Sequence, residues 1–169
     1  MNKNKNEPWL AAEVFRQAVA ALPLVSIDLL VEDHLGRFLL GRRSNPPAQG
    51  SWFVPGGRIR KGERRLEALR RLLQEELGLA PDAVPAQELE FRGVYEHFYD
   101  INFAGEAGNP THYVVLAYAL RWPGGDAALP LAQHGAYRWL TAEQVLADDG
   151  VHAYVKAYFA EPGASDQPG

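Results

Sequence analysis

A glycine pair followed by a charged amphipathic segment holds the residue types best suited to a metal site. The segment spans residues 56–79 and reads GGRIRKGERRLEALRRLLQEELGL. Its periodicity predicts a helix from about Glu63 to Leu77, and Gly78 is a residue type that commonly ends one. Four leucines recur at helical spacing and predict the buried stripe of this helix: Leu66, Leu69, Leu73 and Leu77.

Glu76 is a carboxylate at the border of that stripe, where a charge without a partner is costly. Glycine tolerates unusual dihedral angles, so the backbone carbonyls of Gly56 and Gly57 can approach it. Carboxylate and carbonyl oxygens together suit Mg²⁺, which keeps waters and substrate phosphates among its ligands. A solvated helix with pairs such as Glu67–Arg71 explains the same charges. Composition and spacing alone do not decide between the two.

The scaffold that would position this segment is a set of strands on either side of it. Alternating or β-branched runs predict strands at 23–33, 36–43, 52–54, 88–103, 111–122 and 136–140. Further helices are predicted at 8–21, 141–149 and 151–160, with Thr141 as the cap of the second. We expect a flexible loop at 105–110 and a disordered tail at 161–169. Strands mixed with a few helices indicate one α/β or α+β sandwich domain.

The composition is that of a globular protein and excludes several classes of function. A chain of 169 residues can bury a substantial core, and 47% hydrophobic and 22% charged residues are ordinary values. A net charge of -4 gives no indication of the basic surface that binds nucleic acid. The absence of cysteine excludes disulfides and cysteine-ligated metals. No apolar run reaches the length of a membrane span, and the first residues lack a secretory signal pattern. We therefore expect a cytoplasmic protein that binds neither membrane nor nucleic acid.

The segment at 56–79 resembles the Nudix box, Gly-x5-Glu-x7-Arg-Glu-U-x-Glu-Glu-x-Gly-U, in which U is a bulky aliphatic residue. Eight positions match in register: Gly57, Glu63, Arg71, Leu73, Glu75, Glu76, Gly78 and Leu79. Only Leu72 departs, because the box has glutamate there. The resemblance implies an α/β fold, a Nudix-type α/β/α sandwich with a mixed β-sheet, formed by a single domain over residues 1–160.

The Leu72 departure resembles one branch of the superfamily, the GDP-mannose mannosyl hydrolases. The similarity includes VSIDLLVED, FLLGRRSNPPAQGSWFVPGGR, HFYDINF, THYVVLAY, QHGAYRWLT and VHAYVKAYF, and so covers nearly the whole chain. Most Nudix enzymes attack phosphorus, whereas this branch attacks C1 of the sugar and releases GDP and free sugar with inversion. The resemblance implies that a homodimer hydrolyses GDP-mannose, with GDP-glucose as a second candidate substrate. It also implies Mg²⁺ as the cofactor, with Mn²⁺ as an alternative.

The resemblance further implies roles for individual residues in catalysis and metal binding. His134 is implied to be the general base, and the unperturbed histidine pKa of about 6.5 suits proton abstraction near neutral pH. Gln133 is implied to be a neutral metal ligand beside Glu76 and a carbonyl of the glycine pair. Arg43 and Arg58 are implied to stabilise the diphosphate through their planar donor forks. Without the resemblance, the histidine would be an ordinary loop residue and the arginines ordinary surface charges.

Three more residues are implied to contact the substrate. Tyr113 resembles a tyrosine that contacts the diphosphate or assists its departure, although an aromatic residue in a strand is more often a core residue. His97 resembles a position near the mannose hydroxyls. Asp28 lies inside an apolar strand, where an unpaired carboxylate is expensive. The resemblance implies that it binds or orients the substrate, and pairing with a neighbouring arginine explains it equally well.

Two other functions fit parts of the sequence. A conventional Nudix pyrophosphatase would cleave a P–O bond in a nucleotide sugar or a dinucleotide, and Glu75 favours this because an adjacent acidic pair is typical of those enzymes. A Nudix-like module would instead bind a nucleotide without turnover. The presence of Glu76, Gln133, His134 and both arginines argues against a pure binding module.

Overall fold

A mixed β-sheet is the scaffold of the computed structural model, which describes residues 10–124, 129–132 and 134–160. The predicted tail at 161–169 and the candidate ligand Gln133 lie outside the described residues. In chain order the elements are α1 (Ala12–Ala21), β1 (Leu24–Glu32), β2 (Arg37–Arg43), β3 (Trp52–Phe53), β4 (Gly56–Arg58), α2 (Arg65–Leu77), a 3-10 turn (Ala86–Glu88), β5 (Glu90–Ile101), β6 (Ala107–Arg121), β7 (His134–Thr141), α3 (Ala142–Ala147) and α4 (Ala153–Ala157).

Strand β1 organises the sheet because it has several partners. The main strand order is β3-β2-β1-β6-β5, with β7 paired to β2 and β4 paired to β1. β1 runs parallel to β6 over its whole length, and it is antiparallel to β2 and to β4. It meets β2 near Glu32 and meets β4 further back, where Asp28 lies opposite Gly56. This change of partner brings the glycine pair against the middle of β1.

Two clusters of buried apolar side chains attach helices to the sheet. Because successive strand residues face opposite sides, Leu29 belongs to the cluster that contains α2 and Leu30 to the cluster that contains Val155 of α4. The first cluster includes the fully buried Leu73 and Leu77 of α2. The predicted α/β sandwich with a mixed sheet is confirmed. Within the described ranges, no helix is long and apolar enough to cross a membrane.

Helix α2 differs from its prediction at one position of the stripe. Leu66 is 37% exposed, whereas Leu72 is 1% exposed and takes a place in the core. The buried face is therefore rotated toward Leu72 and Glu76 relative to the predicted stripe. The predicted C-terminal stop is confirmed, because Gly78 adopts the left-handed conformation with φ 67° and closes the helix through its backbone N–H.

Two segments predicted as turn or loop are strands. The glycine pair belongs to β4, since Gly56 pairs with Asp28 and Gly57 with Ile27 of β1. The loop expected at 105–110 ends early, because β6 already begins at Ala107. Asn102 orders the chain just before β6. It is fully buried, and its side-chain oxygen accepts hydrogen bonds from the backbone N–H groups of Ala104 and Glu106. An Asx-type turn of this kind replaces the flexible loop that the glycines suggested.

Candidate active site

A cavity of about 610 Å³ opens where β1 exchanges β2 for β4. The wall includes eight of the ten residues singled out from the sequence: Asp28, Arg43, Gly56, Gly57, Arg58, Glu76, His97 and Tyr113. His134 is not part of this wall, and Gln133 lies outside the described residues. The fold thus brings most of the predicted site residues to one cavity, while their roles remain predictions.

Glycines are required at this wall by close approach. A Cβ on Gly57 would lie 2.7 Å from Cδ2 of Leu72, and one on Gly56 would lie 2.7 Å from Oδ1 of Asp28. Real Cβ contacts of that length essentially do not occur. β4 can therefore pass over Leu72 only because the residue above it has no side chain. The leucine occupies the space beneath the glycine pair, at the box position where a glutamate is usual.

Glu76 is a buried carboxylate on α2, with 6% of its surface exposed. Burial raises its pKa to about 7, and the neighbouring Glu75 raises it further, against the opposing effects of Arg43 and Arg71. Among the described residues it has no hydrogen bond or ion pair. A buried carboxylate in this situation is stabilised as an anion by a cation placed beside it.

Glu75, by contrast, already has cationic partners. It pairs with Arg71 at 2.8 Å and with Arg60 at 3.2 Å. Arg71 also pairs with Glu63 at 2.7 Å and donates to the carbonyl of Arg58. The Glu67–Arg71 pair considered from the sequence is not formed, because the Glu67 carboxylate accepts from the backbone N–H of the N-cap residue instead. Of the box carboxylates, Glu63 and Glu75 therefore belong to an ion-pair network, whereas Glu76 has no ion pair among the described residues.

The donor set fits one hard cation better than a multi-metal centre. Within the described ranges, no group of three or more His, Asp or Glu side chains is arranged to hold a metal ion. A carboxylate and the carbonyls of the glycine pair supply few anionic oxygens. Mg²⁺ is commonly bound through one or two carboxylates plus waters and substrate phosphates, so the residues present fit that ion.

Two arginines make this wall suited to an anion. Arg43 is held by a hydrogen bond from its Nε to the carbonyl of Pro47 at 2.9 Å, while its neighbour Arg42 is exposed and does not line the cavity. The guanidinium of Arg58 lies 3.7 Å from the ring centroid of Phe15, and burial lowers its pKa. Tyr113 is close to both cations, and burial raises the pKa of its hydroxyl.

Asp28 and His97 are joined by a residue that sequence reasoning missed. The hydroxyl of Tyr158 donates to Oδ2 of Asp28 at 2.5 Å and lies 3.2 Å from Nε2 of His97. Burial raises the pKa of Asp28 to about 7, opposed by that hydrogen bond and by Arg43. Burial, and secondarily His152, lowers the pKa of His97 to about 4, so its ring is neutral at pH 7. The predicted pairing of Asp28 with an arginine is replaced by pairing with a tyrosine.

His134 is buried in β7, directly opposite Arg43 on β2. The hydroxyl of Tyr137 donates to the carbonyl of Pro130 and lies 3.3 Å from Nδ1 of His134. Because the Tyr137 hydroxyl uses its one proton in the bond to Pro130, it can only accept a hydrogen bond from Nδ1–H of His134. The lone pair of the neutral His134 ring is then on Nε2. Nε2 is buried without a hydrogen-bond partner among the described residues. Burial, then Arg43, lowers the pKa to about 4, so the expected unperturbed pKa is wrong.

Comparisons with known proteins agree with this architecture. The family model for the NUDIX domain matches residues 22–160. The chain is 37% identical over 140 residues to the low-salt glycan biosynthesis protein Agl8 of Haloferax volcanii, covering 83% of this chain and 82% of that one. It is 39% identical over 59 residues to an ADP-ribose pyrophosphatase of Methanocaldococcus jannaschii, covering 35% of this chain and 34% of that one.

The fold also matches a solved structure. The MutT protein of Methanosarcina mazei Go1 superposes with a TM-score of 0.63 at 23% identity, covering 82% of this chain and 92% of that one. At this identity the likeness concerns the fold alone. Together with the match of the family model over most of the chain, it bears out the membership that the box at 56–79 predicted. The protein therefore belongs to the Nudix family, whose members act on nucleoside diphosphate derivatives.

Proposed function

We propose that this Nudix hydrolase converts GDP-mannose to GDP and free mannose through attack of water on C1 of the sugar with inversion. The observation that carries the proposal is the reduced acidic set at the cavity wall. Leu72 fills the space beneath Gly57, two arginines pair with Glu75, and Glu76 is a buried box carboxylate without an ion pair among the described residues. Attack on phosphorus benefits from a dense acidic cluster that holds metal-bound hydroxide, and such a cluster is lacking among the described residues.

Mg²⁺, or Mn²⁺, would be held by Glu76 and a carbonyl of the Gly56–Gly57 pair. Gln133 would complete the protein ligands as a neutral donor. When bound, such a cation neutralises charge that develops on the diphosphate oxygens. The proposal is supported by the burial of the Glu76 carboxylate, which raises its pKa to about 7, because a cation beside a buried carboxylate stabilises the anion.

The chain itself binds the leaving group with cationic side chains. Arg43 and Arg58 line the cavity, and each presents a guanidinium fork that suits phosphate oxygens. Tyr113 lies on the same wall and places a neutral hydroxyl donor beside them. As the bond between C1 and the diphosphate oxygen breaks, its electron pair passes to the diphosphate. These donors stabilise the charge that results.

The nucleophile is a water molecule that loses its proton to the chain. In the proposed step the water oxygen bonds to C1 and the proton passes to Nε2 of His134, which carries a lone pair and has no other partner among the described residues. The low pKa of His134 keeps its ring neutral at pH 7, which is the form that accepts a proton. The transition state resembles an oxocarbenium ion, so a modest base suffices. Asp28 and His97, which line the cavity, orient the sugar.

A conventional pyrophosphatase is the second candidate, favoured by the retained Glu75 and by the similarity to an ADP-ribose pyrophosphatase over 59 residues. The longer similarity to a glycan biosynthesis protein favours a sugar nucleotide as the substrate for either chemistry. The family resemblance is our basis for proposing a homodimer. Chromatography of the products separates the two candidates: the proposal requires GDP and free sugar, whereas GMP and a sugar phosphate would establish cleavage at phosphorus.

A further inference from the structure

Helix α4 holds two tyrosines against the wall that carries Asp28 and His97. Tyr154 lies in α4 and Tyr158 is its C-cap with helical backbone angles, so the two residues, four apart, lie on one side of the helix. The helix is anchored in the core by Val155, which is fully buried. The following Phe159 packs edge-on against Phe38, with ring centroids 4.7 Å apart. These contacts hold α4 and the residues after it against the core.

Both tyrosines contact the same histidine, His97. The ring of Tyr154 stacks on that of His97 with centroids 4.2 Å apart and an interplanar angle of 7°. Its hydroxyl accepts from the N–H of Phe98 at 2.8 Å and donates to the carbonyl of Phe98 at 2.7 Å, which ties α4 to β5. Tyr158 contacts Nε2 of the same imidazole at 3.2 Å. Residues at α4 therefore contact both the face and the Nε2 edge of the His97 ring.

The hydroxyl proton of Tyr158 also fixes which groups can accept hydrogen bonds. The 2.5 Å separation from Oδ2 of Asp28 is that of a hydroxyl that donates to a carboxylate. When Asp28 is ionised, the single phenol proton is used in that bond, so the phenol oxygen accepts from Nε2–H of His97. The neutral ring then carries its lone pair on Nδ1. Oδ1 of Asp28 and Nδ1 of His97 are thereby both presented as acceptors.

We propose that Tyr158 is a positioning residue that makes this wall selective for a ligand with neighbouring hydroxyl donors, as on a hexose. The inference rests on the proposed function for the identity of the ligand, and it goes beyond it in assigning the selectivity to a residue that does not line the cavity. A site built from acceptors rejects ligands that lack the matching hydroxyl, because its buried polar groups are then left unpaired.

The test compares Tyr158→Phe with Tyr95→Phe as a matched control. The ring of Tyr95 packs edge-on against that of Tyr158 at 4.6 Å, and its hydroxyl has no hydrogen bond among the described residues. The ligands are GDP and a GDP-mannose analogue in which methylene groups replace the anomeric and the bridging diphosphate oxygens, so that neither bond can be cleaved. Affinities are measured calorimetrically with Mg²⁺, and the melting temperature of each variant is recorded.

Tyr158→Phe should weaken binding of the analogue by about ten- to a hundredfold, the scale of leaving buried polar groups unpaired. It should leave GDP binding within about twofold, since GDP carries no hexose, and Tyr95→Phe should change neither affinity. Equal losses for both ligands, unchanged binding of the analogue, or failure of the wild-type protein to bind it would each overturn the inference. If the wild-type products are GMP and sugar phosphate, the proposed bond cleavage fails independently, and a selective loss of analogue binding still supports the role of Tyr158.

Discussion

Gly41→Ala is the substitution whose effect follows most directly from the packing of His134. A Cβ at position 41 would lie 2.9 Å from Cβ of His134, and closer still to the ring atoms Cγ and Cδ2. Ordinary contacts of this kind begin at 3.4 Å. The imidazole is thus seated on the bare backbone of β2 and must move to admit a methyl group.

The size of the effect follows from that displacement. We expect the ring to shift by roughly 1 Å, and a misplacement of that size costs a rate factor of about a hundred when the displaced group takes part in the reaction. Overpacking of a filled interior costs about 1–3 kcal/mol. For a chain of this size each kcal/mol lowers the melting temperature by about 2–4 °C. The variant should therefore fold and lose turnover out of proportion to its stability.

Gly135→Ala is the matched control, because it adds the same methyl group next to His134 in sequence. Its Cβ would lie 3.7 Å from Oγ of Ser44, which is an ordinary contact. The assay is release of free sugar from GDP-mannose, with melting temperature measured in parallel. If Gly41→Ala keeps turnover within twofold of wild type, or if both alanine variants lose it equally, the assignment of His134 as a positioned base is refuted.

Four further predictions concern the site and the network beside it. His134→Gln should lower kcat by about a hundredfold or more with KM nearly unchanged, and steady-state kinetics showing a large KM increase at unchanged kcat would contradict this. Leu72→Glu should release no GMP from GDP-mannose, because Glu75 stays paired with Arg60 and Arg71, and GMP on chromatography would identify the leucine as the switch. Glu76→Gln should raise the Mg²⁺ concentration for half-maximal activity by at least about tenfold, and an unchanged Mg²⁺ titration would remove it from the metal ligands. Hydrogen bonds from Arg71 hold the pKa of Glu63 below its ordinary value. The stability that ionised Glu63 contributes is therefore complete above about pH 4.5 and is lost as pH falls through the lowered pKa. The melting temperatures of wild type and Glu63→Gln should converge on acidification, and a constant difference would contradict the linkage.

The parts of the site that are local in sequence could be predicted from it. Register within the box located α2 and the glycine pair, because helix period and turn chemistry act over a few residues. Strand alternation allows only one of Arg42 and Arg43 to face inward, and Arg43 is the one that lines the cavity wall. Leu66 shows the limit of this reasoning: it fits the apolar stripe, yet it is 37% exposed, whereas Leu72 is buried beneath Gly57.

Contacts between distant residues were beyond the reach of local pattern. Tyr158 and Asp28 are separated by 130 positions, and no periodicity connects them. The spacing of Tyr154 and Tyr158 was the available signal, since two tyrosines four apart on a predicted helix share a face. The burial of His134 depends on the bare backbone of Gly41 on a different strand, so its lowered pKa could not be anticipated from the residue type.

The central claim is that water attacks carbon, and the position of solvent oxygen in the products tests it most directly. Hydrolysis of GDP-mannose in water enriched with oxygen-18, followed by mass spectrometry of both products, should place the label in the sugar and leave GDP unlabelled. Label on a phosphate of the nucleotide, with none in the sugar, would contradict the account.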